Sequence, residues 1–377
     1  IDKSSLDDAQ LVMLALQALE RTRPDTALDR AIDYLAEPGE AAQLGAAVAI
    51  GSFELIADRS TAFKALESLQ AAVDATSDDK LSAVIAASAV DVVLRVGAAV
   101  EAEALNILAT AANNAGDETI YRLSESLWLN AKTLPSGITT ILIEVVAAVR
   151  EGQTGTFRNL DFAISALVES GRIEEAVSLL ERLLAAHPSL GDFSELEGSA
   201  NALLQIDRDK LGEVVVGWLL SEESSIREAV HALMQQQLGD PITFHIDLAP
   251  RTFSGPEAVF LARKTIGYLF LRPITAASIL LSLLRSAPSE ASNEIGEYLF
   301  DPLLLNFPGE LKVWLSEQVS ENLCGGATPY VESALKKLES YFDGLDAIGR
   351  VSELRPSERE RMIEHHRQNR DMSDVIK

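Results

Sequence analysis

The amino-acid sequence predicts an all-α chain, an α-solenoid in which antiparallel helical hairpins stack one on the next, with a bulkier aromatic-rich C-terminal portion. Three observations predict it: a residue mix suited to helices, helix stop-and-start signals at short intervals, and apolar residues at helical spacing between them. Ala and Leu dominate a hydrophobic fraction of 47%, and aromatics supply only 6%. Such a mix, with Glu and Ser, loses little side-chain freedom in helices.

The signals recur about every 15 to 20 residues. Pro24-Asp25-Thr26, Pro38-Gly39-Glu40, Ser77-Asp78-Asp79, Asp117-Glu118-Thr119 and Pro135-Ser136-Gly137 punctuate the first half. Pro188-Ser189, Ser224-Ser225, Gly239-Asp240-Pro241, Gly255-Pro256, Arg272-Pro273, Pro288-Ser289 and Pro308-Gly309 punctuate the second. Each offers a capping oxygen or a first-turn proline, usually with an acidic residue suited to the positive helix end. Leu11, Leu14, Leu16 and Leu19, then Ala27, Ala31, Ile32 and Leu35, begin the apolar series. Leu179, Leu180, Leu183 and Leu184 form a broad stripe that needs cover from a neighbouring helix. Ile138 to Val146 and Val214 to Val216 are rich in β-branched residues, but their segments outrun a typical strand and are predicted as helices.

Helices of similar length with short links imply antiparallel pairs, and a pair repeating at about 35 to 45 residues is the mark of a helical solenoid. A hairpin of this kind cannot bury its apolar face alone, so neighbours must stack. Three regions are expected: a solenoid over residues 1–239, an aromatic-rich helical subdomain over 240–349 and a charged helical tail over 350–377. The second holds 12 of the chain's 21 aromatics, with irregular connections at Ile242–Ser254 and Asn322–Thr328. The third carries seven positive and six negative charges on a thin apolar strip of Met362, Ile363 and His366, too little to stand alone as a helix.

One hairpin resembles a tetratricopeptide repeat. From Phe157 to Pro188, Gly171 stands at the inter-helix turn, Ala176 follows five residues on, Leu180 and Leu184 fill the large apolar positions, and Pro188 closes the unit. Ala163-Ile164 departs from that family's Leu-Gly, and the pattern does not recur after Pro188. Glu223 to Val230 resembles the second helix of a HEAT or armadillo unit, with a capped turn, Ile226, Arg227 and Ala229; Asp117 to Arg122 is a looser match. These resemblances imply architecture and no activity.

A formal net charge of −25 would repel a phosphate backbone, whose binding draws on cations, so no direct nucleic-acid partner is expected. The same repulsion argues against docking on anionic lipid. The charge serves solubility, meets a basic protein partner, or mimics DNA with rows of carboxylates. The single cysteine, Cys324, excludes an intrachain disulfide framework and suits a reducing, cytoplasmic setting. The most lipid-like stretch, Thr265 to Leu284, is interrupted by Arg272-Pro273, so two buried helices are expected there and no membrane span.

The sequence lacks a phosphate-binding Gly-x-x-x-x-Gly-Lys loop, a dinucleotide fingerprint, a Gly-x-Ser-x-Gly elbow and a His-Glu-x-x-His pair. Gly152-Gln153-Thr154-Gly155 has no lysine to reach a phosphate, and one cysteine builds no zinc cage. His365 and His366 are adjacent and would diverge on a helix. His245 and Asp247 flank Ile246 with no recognisable nucleophile, so a surface or turn role is favoured over acid–base work. Asp91 and Arg95 sit four apart on an apolar helix, as an intrahelical ion pair would. No catalysis, cofactor or metal is expected.

The function expected is a protein-interaction scaffold or adaptor subunit of a larger assembly. An arginine beside aromatics is where a binding hot spot is sought, which nominates Arg263, Lys264, Tyr268 and Arg272, with Arg359, Arg367 and Arg370 of the tail. Two other readings stay open. The chain opens on Ile1 rather than Met and closes on a charged segment, as the non-catalytic helical region of a longer enzyme would; or it is an acidic regulator of a basic protein.

Overall fold

The computed structural model describes residues 3–237, 239, 241–248, 253–347 and 362, which form 18 α-helices and, among those residues, no strand. The first ten are α1 (Lys3–Thr22), α2 (Pro24–Ala36), α3 (Glu40–Ser52), α4 (Arg59–Ala75), α5 (Asp79–Val96), α6 (Glu101–Asn113), α7 (Asp117–Asn130), α8 (Ser136–Val146), α9 (Thr154–Glu169) and α10 (Ile173–Ala186). From α1 to α8 each packs on the helix two places later, so α1, α3, α5, α7 and α9 form one row and α2, α4, α6, α8 and α10 another. Apart from Gln43 of α3, which donates to the Leu35 carbonyl of α2, side-chain hydrogen bonds between helices join residues 31 to 44 apart, from Arg263 with Glu294 to Arg95 with Gly51. Interactions of that span reach only the neighbouring hairpin.

Burial follows the predicted stripes. Ala176, Leu179, Leu180, Leu183 and Leu184 of α10 are fully buried, as are Ile138, Leu142 and Val146 of α8. The helical penalty of a β-branched residue is only a few tenths of a kcal/mol, roughly, and burying its side chain outweighs that. Close approach is built in as well. A Cβ at Gly51 of α3 would lie 2.9 Å from the Ser88 Cα of α5, so those two backbones touch where no side chain intervenes.

The helix ends are satisfied across the stack. The Asp79 carboxylate at the start of α5 accepts from the amides of Gly116 (2.8 Å), Glu118 (2.8 Å) and Thr119 (3.3 Å) at the start of α7. Asp161 of α9 does the same for Gly198 and Ser199, at 3.1 and 2.7 Å. The cap of α7 therefore comes from α5, and the chain's own N-cap there is Gly116, not Asp117 as its acidic run suggests. Arginines serve the opposite ends. Arg95 donates to the carbonyls of Phe53 (2.6 Å) and Gly51 (3.0 Å) at the end of α3. Arg172 donates to those of Ala131 (2.8 Å) and Leu134 (2.9 Å) beyond α7. Both devices supply partners to the orphan amides and carbonyls of helix termini.

The later helices are α11 (Glu197–Gln205), α12 (Arg208–Leu220), α13 (Ser224–Gln236), α14 (Gly255–Leu269), α15 (Pro273–Ser286), α16 (Ser289–Tyr298), α17 (Glu310–Ser320) and α18 (Thr328–Ala347). The lipid-like stretch is the end of α14 and most of α15, with Phe270, Leu271 and Arg272 forming the turn between them. No described helix is long and apolar enough to cross a membrane. Residues 241–248 are extended, with Ile242, Phe244, Ile246 and Leu248 buried and His245 and Asp247 exposed between them. The expected charged tail lies outside the described residues apart from Met362, which is exposed.

Candidate interaction surface

The odd-numbered row leaves one helical stripe of each member uncovered. On α5, Lys80, Val84, Ala87 and Asp91 recur at a spacing that keeps them on one face, while Leu81, Ile85, Ala89 and Val92 are buried. The corresponding stripe of α7 is Glu118, Arg122, Glu125 and Leu129, and that of α9 is Arg158, Phe162, Ser165 and Glu169. Upstream, Met13 of α1 and Val48 of α3 join Val84, Lys80, Glu118 and Arg122 around a groove of about 520 Å³ that crosses four successive helices of the row. Further along, Trp128 stacks on Phe162, with ring centroids 4.9 Å apart. Those two rings are each 36% exposed, and Leu129 beside them is 68% exposed.

Most charges on this face are already paired. Lys80 reaches Glu40 at 3.0 Å. Arg122 lies 3.6 Å from Glu118 and 3.1 Å from Glu125. Lys132 lies 3.9 Å from Glu169, and the Arg158 guanidinium sits 5.6 Å from the centre of the Phe162 ring. Asp91 differs. Arg95 is committed to the α3 carbonyls, so the expected ion pair does not form, and Asp91 has no hydrogen-bond or ion-pair partner among the described residues. Although its surface still meets solvent, the surrounding protein desolvates the carboxyl and pushes its pKa up to about 6, against the pull of the Arg95 charge. An unpaired, desolvated carboxylate on an apolar-lined face is the kind of group that marks functional sites.

The chain was compared with protein-family models, with curated proteins and with solved structures. It matches none of them.

The residues nominated from sequence that are described make contacts within the fold. Arg263 of α14 donates to the Tyr298 hydroxyl (2.9 Å) and to Glu294 (2.8 Å) of α16. Lys264 lies 5.1 Å from the centre of the Phe260 ring on its own helix. Tyr268 turns to α13, where its hydroxyl meets Arg227 at 3.4 Å and its carbonyl meets His231 at 3.0 Å. Arg272 reaches the carbonyls of Gln235 and Gln237 at 3.5 and 3.4 Å, at the end of α13. Of the four, Arg263, Tyr268 and Arg272 join neighbouring helices. Arg359, Arg367 and Arg370 lie outside the described residues.

Sequence reasoning missed Val48, Val84, Leu129, Trp128 and Phe162. The available signal was the pair Trp128-Leu129, which falls off the buried Leu123–Leu127 stripe of its helix. A second groove of about 600 Å³ runs over α8, α10 and α12, lined by Arg172, Glu174, Glu181, Lys210 and Glu213 among others. Its arginine is the clamp on α7, and Glu181 accepts from the buried Trp218 indole at 3.0 Å; burial pushes the Glu181 carboxyl up while that bond draws it down. Arg172 and Glu181 are thus engaged within the fold.

Proposed function

We propose that this chain is a protein-interaction scaffold: a solenoid of hairpins of the HEAT and tetratricopeptide kind whose working surface is the uncovered face of α1, α3, α5, α7 and α9. The observation that carries this reading is the groove with Met13, Val48 and Val84 along it, continued by Leu129, Trp128 and Phe162. Apolar side chains that recur on one face of successive helices, among paired charges, resemble the core and rim of a protein interface. Stacking supports the same reading, because interactions confined to neighbouring hairpins build a long surface out of short units. The net charge of −25 favours an encounter with a partner of opposite sign.

Photocrosslinking tests it. A photoreactive residue at Val84 or at Leu129 should trap a defined protein partner in cells. The same residue at Ala102, exposed on α6 in the other row, should not. Equal yields from the two rows, or none from either, would remove the assignment of this face.

A further inference from the structure

We infer that the end of this face where Asp91 lies beside Leu129, Trp128 and Phe162 receives a lysine or arginine side chain carried on an apolar segment of a protein partner. The inference rests on the proposed binding role of the face and adds the chemistry of what it takes.

Placement comes first. Because Asp79 caps the start of α7, α5 and α7 run parallel with their first turns level. Asp91 is twelve residues past Asp79 and Leu129 is twelve past Asp117, so at a common rise per residue the two side chains stand at the same height on adjacent helices. Trp128 adjoins Leu129 and stacks on Phe162 of α9. A carboxylate, an aliphatic side chain and two aromatic rings thus follow one another across three neighbouring helices.

Charge then selects the occupant. The Asp91 carboxylate meets solvent but is partly shielded by the protein around it, and no hydrogen bond from the protein compensates, so it remains under-compensated. An incoming ammonium or guanidinium would supply the missing partner, and the rings of Trp128 and Phe162 on the neighbouring helices offer apolar and cation–π contact to the segment that carries it. The exposed Leu129 offers apolar contact to the stem of the same side chain or to its neighbours. A second copy of the chain fits poorly, because both copies carry −25 and repel.

A double-mutant cycle reads this contact directly. The probes are a short capped peptide of Gln, Ser and Leu carrying one Arg, and the same peptide with Gln in place of that Arg. Each is titrated by calorimetry against the wild-type chain and Asp91→Asn, with helix content checked by circular dichroism. Asp91→Asn should weaken the Arg peptide about tenfold, the scale of one charge-assisted contact, and leave the Gln peptide within about twofold. Glu67→Gln, which removes an exposed carboxylate of α4, should affect neither. Phe162→Ala should weaken both peptides. Equal losses for both peptides on Asp91→Asn, or no binding of the Arg peptide to the wild type, would overturn the inference. Binding that competes with crosslinking at Val84 yet ignores the Arg would overturn it while leaving the scaffold reading intact.

Discussion

Between α5 and α9 helix lies directly on helix, whereas between α12 and α15 a stretch of extended chain lies in between. The two junctions solve different problems. Where helices abut, only their ends carry unsatisfied backbone groups, and a few side chains such as Asp79, Arg95 and Arg172 serve those ends from a neighbouring helix or turn. Extended chain exposes backbone groups along its length, so its neighbour must supply partners in series. Helix α15 does so with three hydroxyls on one face. Thr275 donates to the Ile242 carbonyl (2.7 Å), while Ser278 and Ser282 accept from the amides of Phe244 (3.0 Å) and Ile246 (3.2 Å). Ser278 and Ser282 meanwhile donate to carbonyls of their own helix, so each hydroxyl is used in both directions. On the other side, Gly212 of α12 leaves room: a Cβ there would lie 2.6 Å from Ile246 and 3.2 Å from Phe244. Backbone groups are thus served at the ends of the stacked helices, and in series over residues 242–246 of the inserted segment.

The comparison breaks first at Phe244. Its ring is 1% exposed, and Phe244→Ala should destabilise the chain by about 3 to 5 kcal/mol, the range for emptying a buried phenylalanine site. Phe162→Ala, on the uncovered face, should remove less than about 1 kcal/mol. Urea unfolding of both variants decides it: similar midpoints would mean the extended segment is not part of the core. Arg172→Ala comes next. The side chain also meets Thr139 (2.7 Å) and Glu175, so its loss leaves several buried acceptors empty and should destabilise by roughly 2 to 3 kcal/mol. Arg172→Lys should recover little, since a point charge does not reproduce the guanidinium fork. Full recovery by lysine would reduce the clamp to simple electrostatics.

This contrast also explains what could be read in advance. Helices were legible wherever a capping residue and a periodic stripe coincided, as at Asp78, whose side chain accepts from Leu81 at 2.8 Å, and along α10. Even the β-branched run of α8 gave way to its length. Caps supplied by another repeat were not legible, because nothing near Gly116 in sequence points to Asp79. The same holds for Arg263, Tyr268 and Arg272: arginines beside aromatics signal a contact, and only the packing shows which residues of the fold they meet. Residues 242–248 alternate apolar and polar as a strand would, yet they pair with hydroxyls of a helix, and their register depends on Gly212 and Ser278, about 30 residues away on either side in a chain whose neighbours are set by stacking.

Asp79→Ala tests the end-capping half of the comparison at smaller amplitude. Burial pushes the Asp79 carboxyl up, but the bonds from Thr119, Gly116 and Glu118 outweigh it and hold the pKa below the ordinary 3.8. Losing this cap should destabilise by about 1 to 2 kcal/mol. A group whose folded pKa is depressed contributes fully above its unfolded value and loses that contribution as pH falls through the folded one. The gap between wild type and Asp79→Ala should therefore be constant at neutral pH and narrow only below pH 3.8. Hydrogen exchange should locate the loss in the first turn of α7; protection lost evenly over the chain would contradict a local cap.

Asp91 reverses that sign and has the smallest expected effect. Its folded pKa of about 6 exceeds the ordinary 3.8, so folding favours the protonated carboxyl, and ionisation penalises the folded state. The penalty is absent below pH 3.8, grows as pH rises toward 6, and is complete above it. A shift of this size corresponds to roughly 3 kcal/mol at the limit, but solvent still reaches Asp91 and screening lowers the gain to about 1 kcal/mol. Asp91→Asn should accordingly be more stable than wild type at pH 7 and indistinguishable from it near pH 3.5, where chemical unfolding of the two can be compared directly. A variant that is less stable at neutral pH would mean that Asp91 already holds a compensating contact, and that its carboxylate is not waiting for a cation from outside.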